Sequence, residues 1–106
     1  MFDHPRILFV DDLRWPPADE RRDETAIARS YNEAINLLSN HRFEEVSLDH
    51  DIASFVGGKE KTGYDIALWL AERKNDGLFV PPIVKCHSAN PVGRANIEAV
   101  VKRYLQ

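Results

Sequence analysis

The chain has 106 residues, 43% of them hydrophobic and 29% charged, with a formal net charge of −3 at pH 7. That size and balance describe one domain spanning residues 1–106, and they exclude a disordered tail, a collagen-like repeat and a coiled coil. The mild acidity excludes broad duplex nucleic-acid binding, which needs a basic footprint, and the lone Cys86 excludes an internal disulfide.

The first element is the continuous apolar run Ile7-Leu8-Phe9-Val10, the pattern of a strand buried on both faces as in a parallel sheet. It is too short for a signal peptide or a membrane span, so a soluble cytoplasmic domain with no membrane partner is expected. The run stops at Asp11-Asp12. Leu13 to Glu24 follows with Pro16-Pro17 and seven charges, which reads as a loop. Thr25 to Arg29 is a weaker strand. Ser30 and Glu33 form a capping box for a short helix ending near Asn40, with Ala34, Ile35 and Leu38 as its apolar stripe.

Glu45-Val46-Ser47-Leu48 reads as a third strand and stops at Asp49-His50-Asp51. Ser54 to Thr62 reads as a flexible loop, with Gly57-Gly58 and two lysines but without Walker spacing. Thr62 caps a helix over Gly63–Asn75, which Asp76-Gly77 terminates. Ile83 to His87 forms a fourth strand. Asn90-Pro91 opens a last amphipathic helix with Ile97, Val100, Val101 and Tyr104 on one face. Trp15, Phe43 and Trp69 read as packing residues. Strands separated by helices make this an α/β domain with a mainly parallel four-stranded sheet. The expected order is 2-1-3-4, with helices on both faces.

Each polar cluster falls just after a strand, where ligands bind in open parallel sheets. In the order 2-1-3-4 the first and third strands are neighbours, which brings Asp11 and Asp12 close to Asp49. Carboxylates that close repel one another unless a cation sits among them, and an oxygen-only site suits Mg²⁺ or Mn²⁺. After the fourth strand, His87, Ser88, Asn90 and Arg94 add a proton carrier, a hydroxyl, a helix N-terminus and a guanidinium. Gly93 would allow close approach of an anion to that helix end. Imidazole is the side chain suited to proton transfer near neutral pH, so His50 and His87 are the candidates for general acid or base work. Arg14, Arg21 and Arg22 rim the long first loop, diluted by Asp19, Glu20, Asp23 and Glu24. His4 and His41 stand apart.

The Asp11-Asp12 pair, Asp49 and Ser88-Ala89 resemble the receiver domains of two-component signalling. That resemblance implies Mg²⁺ held by the acid pair, a phosphoryl group accepted by Asp49, and contact from the Ser88 hydroxyl. The chain differs in having only a loop between its first two strands. It also shows no fifth strand with the usual lysine before Gln106, and Lys85 inside the fourth strand is a poor substitute. Four motifs are closer to the cyclic-phosphate processing receiver domain family. They are D-D-x-R-x-P-P (Asp11 to Pro17), S-L-D-H-D (Ser47 to Asp51), T-G-Y-D (Thr62 to Asp65) and H-S-x-N-P-x-G-R (His87 to Arg94). The resemblance spans essentially the whole chain. It implies a receiver-like (flavodoxin-like) three-layer α/β/α fold and a role in processing cyclic phosphates at RNA ends, as in RNA repair, or on nucleotides.

The first functional reading is a metal-dependent phosphoesterase acting on a cyclic phosphate. Asp11, Asp12 and Asp49 hold Mg²⁺ or Mn²⁺. His50, His87 and Asp51 are the catalytic set, and Arg14, Ser88, Asn90 and Arg94 hold the substrate. The second reading is a receiver-like phosphoacceptor or phosphate-binding signalling module without hydrolase activity.

Overall fold

The computed structural model describes residues 5–16, 18, 22–77 and 81–105. His4, Pro17, Asp19, Glu20 and Arg21 lie outside them. Four strands, β1 (Ile7–Val10), β2 (Thr25–Ala28), β3 (Glu45–Leu48) and β6 (Ile83–Cys86), form one sheet in the order β2-β1-β3-β6. Every pair is parallel. This is the order expected from the sequence, and it makes the domain a small receiver-like α/β fold. The three helices are α1 (Tyr31–Asn40), α2 (Gly63–Asn75) and α3 (Pro91–Val100), the last continued by a π-helical turn over Val101–Leu105.

Local chemistry accounts for the helix starts. Ser30 Oγ accepts the Glu33 amide at 3.1 Å. At Thr62 the box runs through Asp65, whose carboxylate accepts the Thr62 amide at 2.8 Å and its hydroxyl at 3.1 Å. Asn90 Oδ1 accepts the amides of both Val92 and Gly93 at 3.1 Å, ahead of which Pro91 has no N–H to satisfy.

The register decides which side chains share a face. Leu8 pairs with Ala26 and Val46, and Val46 with Val84. One layer further along, Val10 pairs with Ala28 and Leu48. These residues form the core with Ala34 and Leu38 of α1, Ile66, Ala67 and Leu70 of α2, and Ile97 and Val100 of α3. All three helices therefore pack on the same face of the sheet.

The expectation of helices on both faces, and with it the third layer, is corrected among the described residues. The reason is topological. The β1–β2 step runs one way across the sheet, whereas β2–β3 and β3–β6 run the other. Right-handed crossovers place the helix of the first connection opposite the other two. That connection is proline-rich, and its described residues hold only a short 3₁₀ turn, Arg22–Glu24. The opposite face carries Ile7, Phe9, Ile27, Ser47 and Lys85, and at its β6 edge Ile83 is 67% exposed.

A second correction concerns the segment read as a flexible loop. It forms a two-stranded hairpin, β4 (Ser54–Val56) with β5 (Lys59–Lys61), in which Val56 opposes Lys59. Gly57 and Gly58 make its two-residue turn with φ of 59° and 80°, values that both positions of this tight turn demand. Buried Ser54 pins the hairpin to α1 by accepting the Tyr31 amide at 3.0 Å. No helix among the described residues is long and apolar enough to cross a membrane.

Candidate metal and phosphate site

The site is built by extending the ladder one residue past each strand. The Asp11 amide donates to the Ala28 carbonyl at 3.1 Å, the Asp49 amide to Val10 at 3.0 Å, and the His87 amide to Leu48 at 3.0 Å. These bonds carry the strand register into the three polar clusters. One carboxylate oxygen from each of Asp11, Asp12 and Asp49 then lies within 4.8 Å of the others.

Asp11 is 1% exposed and its carboxylate is well partnered. Oδ1 accepts the amides of Leu13 at 2.9 Å and Arg14 at 2.8 Å, and Oδ2 meets His87 Nε2 at 3.0 Å. Burial pushes its pKa up, but the Arg14 and Leu13 amides and His87 together outweigh that, leaving it below the ordinary carboxylate value. Asp49 is shifted the other way. Burial first, and then the charge of Asp11, raise its pKa, against opposing contributions from His87, the His50 amide and the Ser88 hydroxyl. A divalent cation fits this arrangement: the donors are all oxygens, and it would relieve the repulsion that raises Asp49.

His87 is held on three sides. Its ring stacks on Phe9 with centroids 4.4 Å apart and planes 8° from parallel. Nδ1 meets Ser47 Oγ at 2.7 Å while Nε2 faces Asp11. An ionised carboxylate only accepts, so Nε2 carries a proton and donates to Asp11. In the neutral ring Nδ1 then accepts from the Ser47 hydroxyl.

His50 and Asp51 form a separate pair beside α3. His50 Nδ1 and Asp51 Oδ1 are 2.8 Å apart, and Asp51 Oδ2 accepts from Asn90 Nδ2 at 3.2 Å. The two contacts lower the Asp51 pKa, the His50 bond more than the Asn90 bond. The His50 ring fills the place where a side chain on Gly93 would stand: a Cβ there would lie 2.3 Å from His50 Cγ. Gly63 plays the same part at α2, where a Cβ would lie 2.0 Å from the Asp49 carbonyl oxygen. Both motif glycines thus let a helix approach the Asp49-His50 segment directly.

Several sequence expectations are changed by these contacts. Gly93 faces His50, and the Asn90 side chain already occupies the Val92 and Gly93 amides. The N-terminus of α3 is therefore a satisfied cap and presents no open anion cradle at those amides. Arg94 Nε turns along the helix to Glu98 Oε1 at 3.2 Å, in a groove shared with Lys85 and Lys102. Arg14 is exposed on the loop that carries Asp11 and Asp12. Ser88 is buried, its hydroxyl lowers the Asp49 pKa, and it accepts the Asn90 amide at 3.1 Å. Phe43 is buried and Trp69 packs against the core as expected, but Trp15 is 65% exposed.

The family model of the cyclic-phosphate processing receiver domain matches residues 6–103. The chain belongs to that family. The match runs from the residue before β1 into the π-helical turn, so it takes in every strand of the sheet and all three helices. No curated protein and no solved structure matches the chain.

Within this receiver-like domain, three contributors went unnoticed in the sequence. Ser47 and Phe9 hold His87, and Arg29 Nη1 donates to the Asp11 carbonyl at 3.0 Å. Strand parity was the available signal for two of them. Phe9 and Ser47 each stand two residues before a site aspartate, so they share its face of the sheet.

Proposed function

We propose that this domain is a divalent-metal-dependent phosphoesterase that opens a cyclic phosphate on a nucleotide or at an RNA end. The observation that carries the reading is the convergence of Asp11, Asp12 and Asp49 within 4.8 Å, beside Ser88 and His87, at the carboxyl edge of the sheet. Asp11, Asp12 and Asp49 would hold Mg²⁺ or Mn²⁺. When bound, such an ion neutralises phosphate charge and supports attack by water.

The remaining chemistry belongs to the chain. Hydrolysis forms one P–O bond to the water oxygen and breaks one ring ester P–O bond, and the leaving oxygen takes up a proton. His87 holds a proton at Nε2 beside the acids and is the group assigned to proton handling. Asp11 orients that ring, and Ser47 holds its other nitrogen. The Ser88 hydroxyl favours the ionised form of Asp49, and Arg14 supplies a cation on the same loop as Asp11. His50, Asp51 and Asn90 act at one remove by locking the Asp49 segment against α3. In this reading Arg94 reaches a phosphate only after leaving Glu98.

The test is turnover of 2′,3′- and 3′,5′-cyclic nucleotides with and without Mg²⁺ or Mn²⁺. Metal-dependent opening of either ring, lost in Asp12→Asn, supports the reading; no turnover of any cyclic phosphate overturns it. A buried hydroxyl, Ser88, in the cluster that follows β6 favours a second reading, in which Asp49 accepts a phosphoryl group as part of a signalling module. Incubation with a small phosphodonor separates the two. A stable mass gain of one phosphoryl group, absent in Asp49→Ala, identifies the phosphoacceptor.

A further inference from the structure

Among the described residues three aromatic side chains stand largely in solvent, Trp15, Phe55 and Tyr104, and of these Trp15 lies on the loop that carries Asp11 and Asp12. It is 65% exposed, and its neighbour Leu13 is 80% exposed. Such exposure on an otherwise closed turn calls for an explanation, because the turn itself is tightly held. Asp11 Oδ1 accepts the amides of Leu13 and Arg14, and Pro16 is buried on the far side of Trp15. Arg29 completes the clamp. Its guanidinium donates to the carbonyls of Asp11 and Arg14, and lies 4.8 Å from the centre of the Trp15 ring.

One face of the indole is thus supported by a cation that is itself bonded to the backbone of a site aspartate. An aromatic ring fixed in this way binds a second flat group with little loss of side-chain freedom. The distance constraint is equally specific. Trp15 follows Asp12 by three residues, so the chain between them spans at most about 10 Å, which is the scale of one nucleotide.

We infer that Trp15 is a stacking platform for the nucleobase of the nucleotide whose phosphate occupies the acidic site. The inference rests on the phosphate reading given above and names its substrate class: a nucleoside phosphate, free or at a chain end, in preference to a small alkyl cyclic phosphate. Stacking accepts any base because every base has a π face, so the platform adds affinity without selecting sequence.

The test compares two phosphate monoesters by calorimetry in Mg²⁺: adenosine 3′-monophosphate, and glycerol 2-phosphate, which keeps the secondary phosphate ester without a base. The unmodified protein should prefer the nucleotide by about tenfold or more, the usual scale of one base–aromatic stack. Trp15→Ala should abolish that preference without altering glycerol 2-phosphate binding, and Trp15→Phe should keep most of it. An oligonucleotide ending in a 3′-phosphate should show the same dependence on Trp15. Equal binding of the two monoesters, or a preference that survives Trp15→Ala, overturns the platform while leaving the phosphate site standing. If neither monoester binds, the phosphate site falls and the platform falls with it.

Discussion

The imidazole of His87 lies flat on the Phe9 ring, with 4.4 Å between centroids and 8° between planes, so an apolar sheet residue sets the plane of a site histidine. That plane directs Nε2 at Asp11 and Nδ1 at Ser47. The consequence is a rigid ring whose two nitrogens have different partners. His87→Ala leaves a buried carboxylate oxygen without its donor and should destabilise the fold by about 1–3 kcal/mol. Ser47→Ala removes one neutral contact and should cost about 0.5–1.5 kcal/mol. Urea unfolding of the two variants checks the ranking, which fails if the serine variant is the weaker one.

His87 also orients Asp11, an assigned metal ligand. Loss of such an outer partner lowers metal affinity or activity about 10–100-fold in other sites. His87→Ala should therefore weaken Mn²⁺ binding on that scale in a direct titration. His50→Ala, whose ring bonds Asp51 and packs on Gly93, should change it much less.

The two motif glycines should respond differently to alanine. At Gly93 the new methyl meets the His50 ring, a side chain that can be removed. Thermal unfolding should show a large loss for Gly93→Ala that is partly recovered in Gly93→Ala/His50→Ala, a coupling expected of residues in contact. At Gly63 the methyl meets the Asp49 carbonyl, which is backbone. Adding His50→Ala should recover nothing for Gly63→Ala.

Asp11 and Asp49 should contribute to pH dependence with opposite signs. The Asp11 pKa lies below its unfolded value, so its contribution is present above the unfolded pKa and is lost as pH falls through the folded one. Asp49 lies above its unfolded value, so its ionised form opposes folding at neutral pH. In metal-free buffer at pH 7, Asp49→Asn should raise the unfolding temperature and Asp11→Asn should lower it. Added Mg²⁺ should stabilise the unmodified protein and reverse the advantage of Asp49→Asn.

Core truncation provides a scale for these effects. Leu70 is fully buried where α2 meets the sheet, and Leu70→Ala should cost about 2–5 kcal/mol. A smaller loss in denaturant titration would mean that α2 settles into the gap left behind.

The strands, the helices and their order were legible because each has a local cause. Ile7 to Val10 is a central-strand pattern, and Ser30, Thr62 and Asn90 are caps whose bonds lie within a turn of the chain. Asp11, Asp12 and Asp49 were legible as a cluster because strand order alone makes β1 and β3 neighbours. The hairpin was missed because its strands are only three residues long, too short for alternation to stand out beside Gly57-Gly58.

The remainder depended on contacts between residues far apart in the chain. Ser47 and His87 are 40 residues apart, and Asp11 and His87 are 76 apart. No local pattern says which ring nitrogen faces which partner. Gly93 read as space for an anion, and only packing showed that His50 fills that space. Trp15 read as a packing residue by its chemistry, and only the tertiary structure showed it in solvent against Arg29, on the loop that carries Asp11 and Asp12. By itself the sequence of 106 residues determined the family, the strand order and the convergence of the acids, since these follow from periodicity and motif. The tertiary structure decided the layer count, the orientation of His87 and the outward face of Trp15. Those depend on register and on which side chains compete for the same space.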